Sequence, residues 1–505
     1  MKELLVSKIN RFEIKITFLI IFSIGLGLRF FYFPHELPLI ADGLDNFTYA
    51  TAINFHGHLP NEWAPANIGW PIFLSFWFPL LNLDNSFEYM QFQRILSIIL
   101  SSLITIPIYF LCRKFFNNKI SLVGASLFAF EPRIILNSTL GITEPLFILL
   151  GITSLLMFLR YDRKGVMIAF TLASFTTIVR SEGIFLVLTI SILFLLKNKI
   201  SKEILKTYVP ALIIFLLILI PIMMYKTDVS GTDAIFDRVV GGTSEIISIS
   251  NEGKNNEIFA GIELFIKYLG WIMIPSFLLF LPFGTIQFLR KRTKEMNFII
   301  IFLISSSMPI LYAYIVQAQD TRYLYFLYPI FCLISLFSVE TITSKFRKKN
   351  TIISLLIIGI LISSVLFYEY KKIDYEKEKE LKEIAEIISN KIAGVNFHPT
   401  ETKYIKIQEI PSEWPFLFHE MYEIKSVDTD GYNNLEKYIL NNKNELSHLI
   451  IDENIELPKF LINIFQNEKK YNYLEKEFDS KDYGYEHHIK LFKINFEKFN
   501  SIIKK

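Results

Sequence analysis

Two aspartates follow the first apolar stretch of the sequence, in the segment ADGLDNFTYA at residues 41–50. The carboxylate of Asp42 or of Asp45 could take a proton from an incoming hydroxyl group and so act as a general base. Either residue could instead cap a helix that lies beside a membrane, since aspartate is favoured at helix N-termini. Asp45 and Asp42 are therefore the candidate catalytic residues.

Pairs of opposite charge recur further along the chain. Arg180 stands two residues before Glu182, and Asp320 stands two residues before Arg322. A guanidinium group binds phosphate well through paired hydrogen bonds, whereas a structural ion pair would only hold a loop together. Glu144 directly precedes a proline, which is also a common arrangement in the first turn of a helix. Both interpretations stay open for these residues.

Histidine and cysteine offer little for metal binding. His56 and His58 could hold a divalent metal, but two histidines in a glycine-containing loop are more often hydrogen-bonded or solvated. Cys112 and Cys332 are the two cysteines of the chain, and both lie in apolar runs. This pattern excludes a disulfide framework and a cysteine metal site, and it predicts no certain cofactor.

The composition indicates a membrane protein with many spans. Of the 505 residues, 52% are hydrophobic, 15% aromatic and 20% charged, against about 25% charge in a typical soluble protein. The mean hydropathy is +0.37. These values exclude a disordered chain, a disulfide-rich secreted module and a nucleic-acid-binding protein with a large basic face. The net charge of +3 does not indicate a partner.

The distribution of charge divides the chain into a membrane part, residues 1–369, and a tail, residues 370–505. The tail holds 21 Lys, no Arg and 25 acidic residues. A helix that crosses a bilayer needs about 20 mostly apolar residues. By this measure we predict eleven spans, at residues 16–33, 92–112, 120–136, 143–159, 165–179, 183–196, 207–225, 264–289, 297–316, 324–342 and 351–368.

The basic residues predict the orientation, because Lys and Arg favour cytoplasmic loops. Six basic clusters lie at residues 2–15, 113–119, 160–164, 197–206, 290–294 and 345–349. With eleven spans, all six lie on one side, so the N-terminus is predicted inside and the tail outside. The apolar segment 68–82 is short and would break this pattern as a span. We interpret it as re-entrant or interfacial, within a first outer loop at 34–91.

The tail has the pattern of a small extracytoplasmic α/β domain. A charged helix is predicted at about 374–391, a buried strand at 446–452, a helix at 457–466 and an alternating strand at 487–495. Helices that alternate with short strands favour this fold class. The expected location of the whole chain is the plasma membrane, where the first span stays as a signal anchor.

The candidate residues cluster where the predicted spans meet the outer interface. They fall in four separate outer loops, whereas transporter sites tend to lie near the bilayer midplane. Such placement suits a site that opens to the outer leaflet and to the extracytoplasmic space. A lipid-linked donor would need arginine for its phosphate, a carboxylate as general base and apolar walls for its isoprenoid chain.

Several segments, in order, resemble the membrane glycosyltransferases of the GT-C class. The first is ADGLDNFTYATAINFHGHLP (41–60), in which Asp45, Tyr49 and Ala50 match an Asp-x-x-x-Tyr-Ala unit, followed by NIGWPIFLSFWFPLL (68–82). GITEPLF (141–147), VRSEG (179–183) and QDTRYLYFLYP (319–329) are similar to later outer segments of that class. The layout is nearest to the protein O-mannosyltransferase and aminoarabinose-transferase branch, and it covers most of residues 1–345.

The resemblance implies transfer of a sugar from a polyprenyl-phosphate donor to an acceptor hydroxyl on the extracytoplasmic side, with inversion. A mannose-like hexose is the expected sugar, and the acceptor is a protein, lipid or glycan. Asp45 would be the general base and Arg322 and Arg180 would bind the lipid phosphate. Glu144 would contact sugar or acceptor. The further candidates for substrate binding are Glu182, Asp320, Tyr49, His56 and His58.

One difference from this branch leaves the acceptor type open. Protein O-mannosyltransferases carry Asp-Glu where this chain has Asp45-Asn46, so Asp42 could hold the role given to Asp45. The tail has no WWDYG-type motif, which counts against an oligosaccharyltransferase. The alternative function is a multi-pass transporter or lipid flippase with an outer domain, but no repeat or matched pair of broken helices supports it.

Overall fold

The structure is a computed structural model. It describes residues 2–503 except 62, 82, 84–85, 199–203, 234, 238–240, 243, 245–254, 292, 372–374, 394–402, 409–421, 428, 430, 445 and 454–456. Parts of the basic clusters at 197–206 and 290–294 and the start of the predicted helix 374–391 therefore lie outside the described residues. The described chain is mostly helical, with one small sheet near its C-terminus.

The described part of the first 371 residues is mostly helical. Its helices are α1 (Lys2–Phe31), α2 (Ala41–His56), α3 (Gly69–Trp77), α4 (Ser86–Leu103), α5 (Thr105–Cys112), α6 (Asn118–Ala129), α7 (Pro132–Ser138), α8 (Glu144–Phe158), α9 (Arg163–Val179), α10 (Ile184–Asn198), α11 (Val209–Ser230), α12 (Asn255–Ile272), α13 (Leu281–Arg290), α14 (Lys294–Ile315), α15 (Tyr328–Ser344) and α16 (Lys349–Lys371). A short 3-10 helix, Thr321–Leu327, leads into α15.

Among the described residues, six helical segments are long and apolar enough to cross a membrane. They are Phe12–Phe31, Ser86–Cys112, Lys206–Ser230, Glu295–Ile315, Thr321–Ser344 and Lys349–Lys371. The pair α6 and α7, bent by 53°, makes a seventh if it forms one broken span. With this pair counted, the segments coincide with seven of the eleven predicted spans. Because so many long apolar helices are present, the chain is a membrane protein.

The other four predicted spans are shorter or broken. Helices α8, α9 and α10 have 15, 17 and 15 residues, fewer than the ~20 that a full span needs. The predicted span at 264–289 consists of the separate helices α12 and α13. The full count of eleven and the inside-outside topology remain predictions.

The chain divides into two compact units. The first comprises residues 1–33, 48–80 and 93–372, and the second comprises residues 34–47, 81–92 and 373–505. The division assigns parts of the first loop to the same unit as the tail. The domain boundary predicted at 369/370 stays a prediction.

One continuous apolar core holds the helices of the first unit together. It includes Ile21 of α1, Phe128 of α6, Leu155 of α8 and Leu333 of α15, all almost fully buried. Both cysteines, Cys112 and Cys332, are buried in the same core as free thiols. Several buried hydroxyl groups in these helices bond to carbonyls of the preceding turn; Thr177 Oγ1, for example, donates to the carbonyl of Ala173 over 2.8 Å.

The tail contains a five-stranded mixed sheet flanked by helices. The strands are β1 (Lys403–Gln408), β2 (Tyr422–Val427), β3 (His448–Asp452), β4 (Leu474–Asp479) and β5 (Ile489–Ile494), and the helices are α17 (Glu376–Ala393), α18 (Leu435–Asn441), α19 (Lys459–Gln466) and α20 (Phe496–Ile503). The sheet order is β2-β1-β3-β5-β4. β1 is parallel to β2 and β3, whereas β5 is antiparallel to β3 and β4.

The alternation of side chains along β3 explains the layers of this α/β fold. Leu449 and Ile451 point into a core with α18 and α19, and Ile450 packs with residues of α17 on the opposite face. Successive strand residues face opposite sides of a sheet, so a continuous apolar run suits a strand covered on both faces. The tail thus has a small sheet with flanking helices, and the described parts of its two predicted helices and two predicted strands are present.

His448 at the start of β3 should make the tail less stable in acid. Burial, with a smaller effect of Lys493, lowers the pKa of His448 to about 4, below the ~6.5 of an unfolded histidine. Below pH ~6.5 the unfolded state takes up a proton on His448 more readily than the folded state does. The contribution of His448 to the free energy of unfolding is therefore complete above pH ~6.5 and declines as the pH falls toward 4. Because Glu477 Oε2 lies 3.5 Å from His448 Nε2 and opposes this shift, we expect a loss of only about 1–2 kcal/mol.

Hydrogen exchange of residues 448–452 in the full-length protein measures this effect. Protection, corrected for the intrinsic exchange rate, should fall between pH 7 and pH 4.5 in the wild type and change less in His448→Gln. An equal pH dependence in both proteins would contradict the prediction.

Candidate active site

A pocket in the first unit brings together four of the predicted site residues from three separate segments. Its empty space, including the solvent-filled mouth, measures about 520 Å³. It is lined by Glu144, Phe147, Ile148, Arg180, Glu182, Phe185, Leu186, Ser306, Pro309, Ile310, Arg322, Tyr323 and Phe326. Charged groups and aromatic rings share its walls, as is usual for a ligand site.

A tight turn between α9 and α10 fixes Arg180 in this pocket. A Cβ atom on Gly183 would lie 2.6 Å from the backbone nitrogen of Thr177, and one on Gly69 would lie 2.5 Å from that of Val179. Only glycine permits these approaches of α10 and α3 to the end of α9. The side chain of Asn67 also accepts a hydrogen bond from the backbone of Ser181 over 3.2 Å. The sequence VRSEG therefore folds as a packed turn.

Arg180 bridges two carboxylates that come from different segments. Its Nη1 atom lies 2.7 Å from Glu144 Oε1 and its Nη2 atom lies 2.9 Å from Glu182 Oε1. The Glu144 side chain is 6% exposed and that of Arg180 is 16% exposed. Burial opposes the charge on Arg180, but the two carboxylates outweigh it and raise the pKa of the arginine. We name Glu144, Arg180 and Glu182 the carboxylate bridge.

Arg322 approaches the pocket from the 3-10 helix that precedes α15. Asp320 caps this helix: its Oδ1 atom accepts a hydrogen bond from the backbone of Arg322 over 2.8 Å, and its Oδ2 atom accepts one from Arg322 Nε. The side chains of Arg322 and Asp320 are 32% and 34% exposed. Arg322 is thus twice as exposed as Arg180 and is better placed to meet a ligand.

Loss of the arginine in the carboxylate bridge should destabilise the protein strongly. Arg180→Met leaves the buried Glu144 carboxylate without its ion-pair partner, which costs about 3–5 kcal/mol. The double variant Arg180→Met/Glu144→Gln should lose less stability than Arg180→Met, because no buried carboxylate is left uncompensated. Thermal unfolding of the purified protein in detergent compares the variants.

Arg160 provides the control for this prediction. It forms an ion pair with Asp162 in which both side chains are about half exposed, so Arg160→Met should change stability by less than ~1 kcal/mol. Equal losses for Arg160→Met and Arg180→Met would rule out a special role of the carboxylate bridge in stability.

The two candidate catalytic aspartates lie in the first two turns of α2. Both are exposed to solvent, and the Asn46 side chain donates a hydrogen bond to the backbone carbonyl of Asp42. Partial burial of its carboxyl group raises the pKa of Asp45, and the Asp42 carboxylate raises it further. These aspartates belong to the second unit and the pocket to the first. Their catalytic role stays a prediction.

The structure gives Tyr49 a buried position in the first unit. Its hydroxyl oxygen lies 2.6 Å from that of Tyr225, which in turn donates to the carbonyl of Pro60. Its ring packs edge-on against Trp63, with 4.8 Å between centroids. Burial, together with the bond to Tyr225, raises the pKa of Tyr49. These contacts tie the first loop to α11.

His56 and His58 lie next to each other in space on the exposed end of α2. Their ring centroids are 5.8 Å apart, and His58 Nδ1 lies 2.8 Å from the carbonyl of Leu59. Within the described ranges, no three side chains of His, Cys, Asp or Glu are grouped closely enough to hold a metal ion.

Sequence reasoning did not single out part of the pocket wall. Tyr323 and Phe326 line the pocket next to Arg322, and Ser306 and Pro309 contribute from α14. Tyrosines after an arginine are also typical of an ordinary membrane interface, so the pattern YLYFLY does not reveal a pocket. The run SSSMP at 305–309, polar residues before a proline in an apolar helix, was the available signal.

Comparison with known proteins agrees with this architecture. Residues 86–225 match the family described as dolichyl-phosphate-mannose-protein mannosyltransferase. No curated protein sequence matches the chain significantly. Among solved structures, ArnT from Cupriavidus metallidurans bound to undecaprenyl phosphate is 9% identical, with a TM-score of 0.60 over 94% of this chain and 97% of that chain.

A second group of similar structures comes from Archaeoglobus fulgidus. Its oligosaccharyltransferase, tethered to an acceptor peptide with the NVT sequon, is 12% identical, with a TM-score of 0.59 over 88% of this chain and 70% of that chain. The oligosaccharyltransferase AglB, in complex with an inhibitory peptide and a dolichol-phosphate, has a TM-score of 0.54 at 12% identity. Similarity at such low identity is evidence of fold alone. The chain is a membrane protein with the GT-C fold that these structures share.

Proposed function

We propose that this protein is a glycosyltransferase that takes a sugar from a polyprenyl-phosphate donor and transfers it to an acceptor hydroxyl on the extracytoplasmic side. The observation that carries the proposal is the pocket in which the carboxylate bridge and Arg322 face aromatic and aliphatic walls. Such a pocket offers groups for a phosphate, for sugar hydroxyls and for an apolar chain. It lies in a chain with the GT-C fold, and residues 86–225 match a mannosyltransferase family.

The reaction is a displacement at the anomeric carbon. The bond from the acceptor oxygen to that carbon forms as the bond from the carbon to the phosphate oxygen breaks, and the configuration inverts. The acceptor hydroxyl gives its proton to a carboxylate, and the polyprenyl phosphate leaves as an anion. The protein must therefore supply a general base and stabilise the charge that develops on the phosphate.

Arg322 is the proposed ligand of the lipid phosphate. Its guanidinium group is partly exposed at the pocket, and guanidinium binds phosphate through two parallel hydrogen bonds. Arg180, which the sequence also suggested for this role, is already bonded to two carboxylates. We assign Arg180 to holding Glu144 and Glu182 in place, where their oxygens can accept hydrogen bonds from sugar hydroxyls.

Asp45 is the proposed general base. Its pKa is raised, and a base whose pKa is closer to the working pH transfers protons more efficiently. Its position in the unit Asp45-Tyr49-Ala50 supports the assignment, because this unit carries the resemblance to GT-C enzymes. Asp42, one turn earlier, is the alternative base. No step of this mechanism passes through a metal ion.

A mannose-like hexose is the proposed sugar, and a protein is the preferred acceptor. The name of the matching family supports mannose and a protein acceptor. The acceptor peptide in the Archaeoglobus fulgidus structure adds support for a protein. We place the protein in the plasma membrane with the pocket and the tail outside, in agreement with the one-sided distribution of basic residues.

A donor-selection assay tests this function. Full-length protein in detergent is incubated with labelled polyprenyl-phosphate mannose, or with GDP-mannose, and with a membrane extract as the acceptor pool. We expect label in an acceptor fraction and release of polyprenyl phosphate from the lipid donor only. Failure to consume any polyprenyl-phosphate hexose, together with lipid translocation in proteoliposomes, would support the flippase alternative instead.

A further inference from the structure

A second pocket lies at the end of α15 that is distant from Arg322. Its walls are the residues Ile14, Asn117, Asn118, Lys119, Ile120, Lys291, Glu340, Thr341, Thr343, Ser344, Lys349, Asn350 and Ile353. We name it the lysine pocket. It opens broadly to solvent, with about 1360 Å³ of empty space including its mouth.

The lysine pocket is separate from the candidate active site. Arg322 lies just before the start of α15, and the lysine pocket includes Thr343 and Ser344 at the end of the same helix. A helix of 17 residues is about 25 Å long, at roughly 1.5 Å per residue. A phosphate group bound in one pocket is therefore too far away to contact the residues that line the other.

Positive charge dominates the lysine pocket. Lys119 comes from the start of α6, Lys349 from the start of α16 and Lys291 from the end of α13, so three distant segments of the sequence converge there. Lys291 is paired with Glu340, with 2.8 Å between Nζ and Oε2. The lining thus carries three ammonium groups against one carboxylate. This imbalance favours an anionic ligand.

Apolar surface adjoins this charge. Ile14, Ile120 and Ile353 line the pocket itself. Beyond it, α16 exposes Leu355, Ile358 and Ile362, and α1 exposes Ile16, Leu19 and Ile20. Both α1 and α16 are long and apolar enough to span a membrane. We therefore expect their exposed aliphatic side chains to contact lipid chains. A ligand that fits both surfaces has an anionic head and a hydrocarbon tail.

We propose that the lysine pocket binds the phosphate group of an anionic phospholipid. The phosphate lies between the ammonium groups of Lys119 and Lys349, and the acyl chains run along the exposed faces of α1 and α16. Basic pockets between membrane helices recognise lipid head groups in this way. The site does not depend on the proposed transferase activity, and binding there stabilises the end of the helix bundle opposite the candidate active site.

Native mass spectrometry of the full-length protein tests this site. The protein is purified in detergent and offered phosphatidylglycerol or phosphatidylcholine with the same acyl chains. We expect the wild type to retain phosphatidylglycerol about tenfold better. Lys119→Gln/Lys349→Gln should reduce its retention to the level of phosphatidylcholine. Glu340→Gln, which removes the only carboxylate that lines this pocket among the described residues, should increase retention.

The matched control is Lys345→Gln/Lys348→Gln. It removes the same amount of charge from the basic cluster that contains Lys349, but neither residue lines the pocket, so retention should stay within about twofold. Equal losses in the two double variants would show attraction by surface charge alone and overturn the proposal. Equal retention of the two lipids by the wild type would overturn it too.

Two further measurements complete the test. If inorganic phosphate alone raises the thermal stability of the wild type but not of Lys119→Gln/Lys349→Gln, and phosphatidylglycerol is not retained, the ligand is free phosphate and the lipid proposal fails. If Lys119→Gln/Lys349→Gln does not fold, Glu340→Gln decides: unchanged retention of phosphatidylglycerol contradicts the proposal, and increased retention supports it.

Discussion

Asp45→Asn should lower kcat/KM for sugar transfer by about a thousandfold, because the loss of a general base costs a factor of roughly 10²–10⁴. The substitution keeps the shape of the side chain and removes its ability to accept a proton. Binding of the lipid donor should change little, since Asp45 acts on the acceptor hydroxyl. Transfer of labelled hexose, measured beside donor binding and thermal stability, separates these effects.

Asp42→Asn is the matched control for this substitution, because it changes the same residue type one turn earlier in α2. The Asp42 carboxylate contributes to the raised pKa of Asp45, so its removal should lower that pKa. In the wild type, kcat/KM should begin to fall at a pH above the pKa of an ordinary aspartate, because the pKa of Asp45 is raised. In Asp42→Asn, this fall should occur at lower pH. Activity at neutral pH should remain.

The two substitutions together identify the base. If Asp42→Asn abolishes transfer and Asp45→Asn leaves it within about threefold, the assignment is reversed and Asp42 is the base. If both variants keep full activity, neither aspartate takes the proton and the proposed mechanism is wrong.

Arg322→Gln should lower kcat/KM for the lipid-linked donor by about 30- to 150-fold, because a hydrogen-bonded ion pair of this kind contributes roughly 2–3 kcal/mol. The ground state and the transition state both carry negative charge on the phosphate, and the leaving phosphate carries more. We therefore expect a higher KM for the donor and also a lower kcat. Steady-state kinetics over a range of donor concentrations measures both values.

Arg160→Gln is the control for the Arg322 variant. Arg160 also pairs with an aspartate two residues away, and both partners are exposed, but it lies outside the candidate pocket. Its loss should leave the kinetics unchanged. Normal donor KM and kcat in Arg322→Gln would remove Arg322 from the site and leave Arg180 as the phosphate ligand to test.

The sequence predicts much of this fold because membrane spans have a strong signal. Apolar runs of about 20 residues locate segments such as Ser86–Cys112 and Lys349–Lys371. Length alone cannot separate a full span from a shorter buried helix, as α8 illustrates. Its 15 residues are almost wholly apolar, yet the helix begins at Glu144 in the pocket wall.

In the tail, the local sequence pattern predicts individual strands better than it predicts their order in the sheet. The alternating segment 487–495 and the apolar segment 446–452 indicate strands β5 and β3, which are neighbours in the sheet. The parallel pairing of β1 with β2 and β3 joins segments of the tail that have no mutual sequence signal. Such pairing depends on packing against helices, so the sheet order could not be derived from the sequence.

For the candidate site, charge placement predicts the residues but not their partners. Arg180 and Glu182 stand two residues apart, and the structure confirms that they are paired. The bond from Arg180 to Glu144, 36 residues away, depends on the packing of α8 against α9, which neither motif encodes. The pairing of two polar residues in one motif can thus be predicted, whereas the pairing of Arg180 with the distant Glu144 could not.

The burial of Cys112 and Cys332 makes the natural chain ready for chemical mapping of its membrane topology. Both thiols are fully buried in the core, so a membrane-impermeant maleimide has no native thiol to modify in the folded protein. One cysteine introduced at an exposed position, such as Phe55 or Phe346, would then report by its labelling which side of the bilayer it faces. The wild-type protein serves as the unlabelled background, without prior removal of its own cysteines.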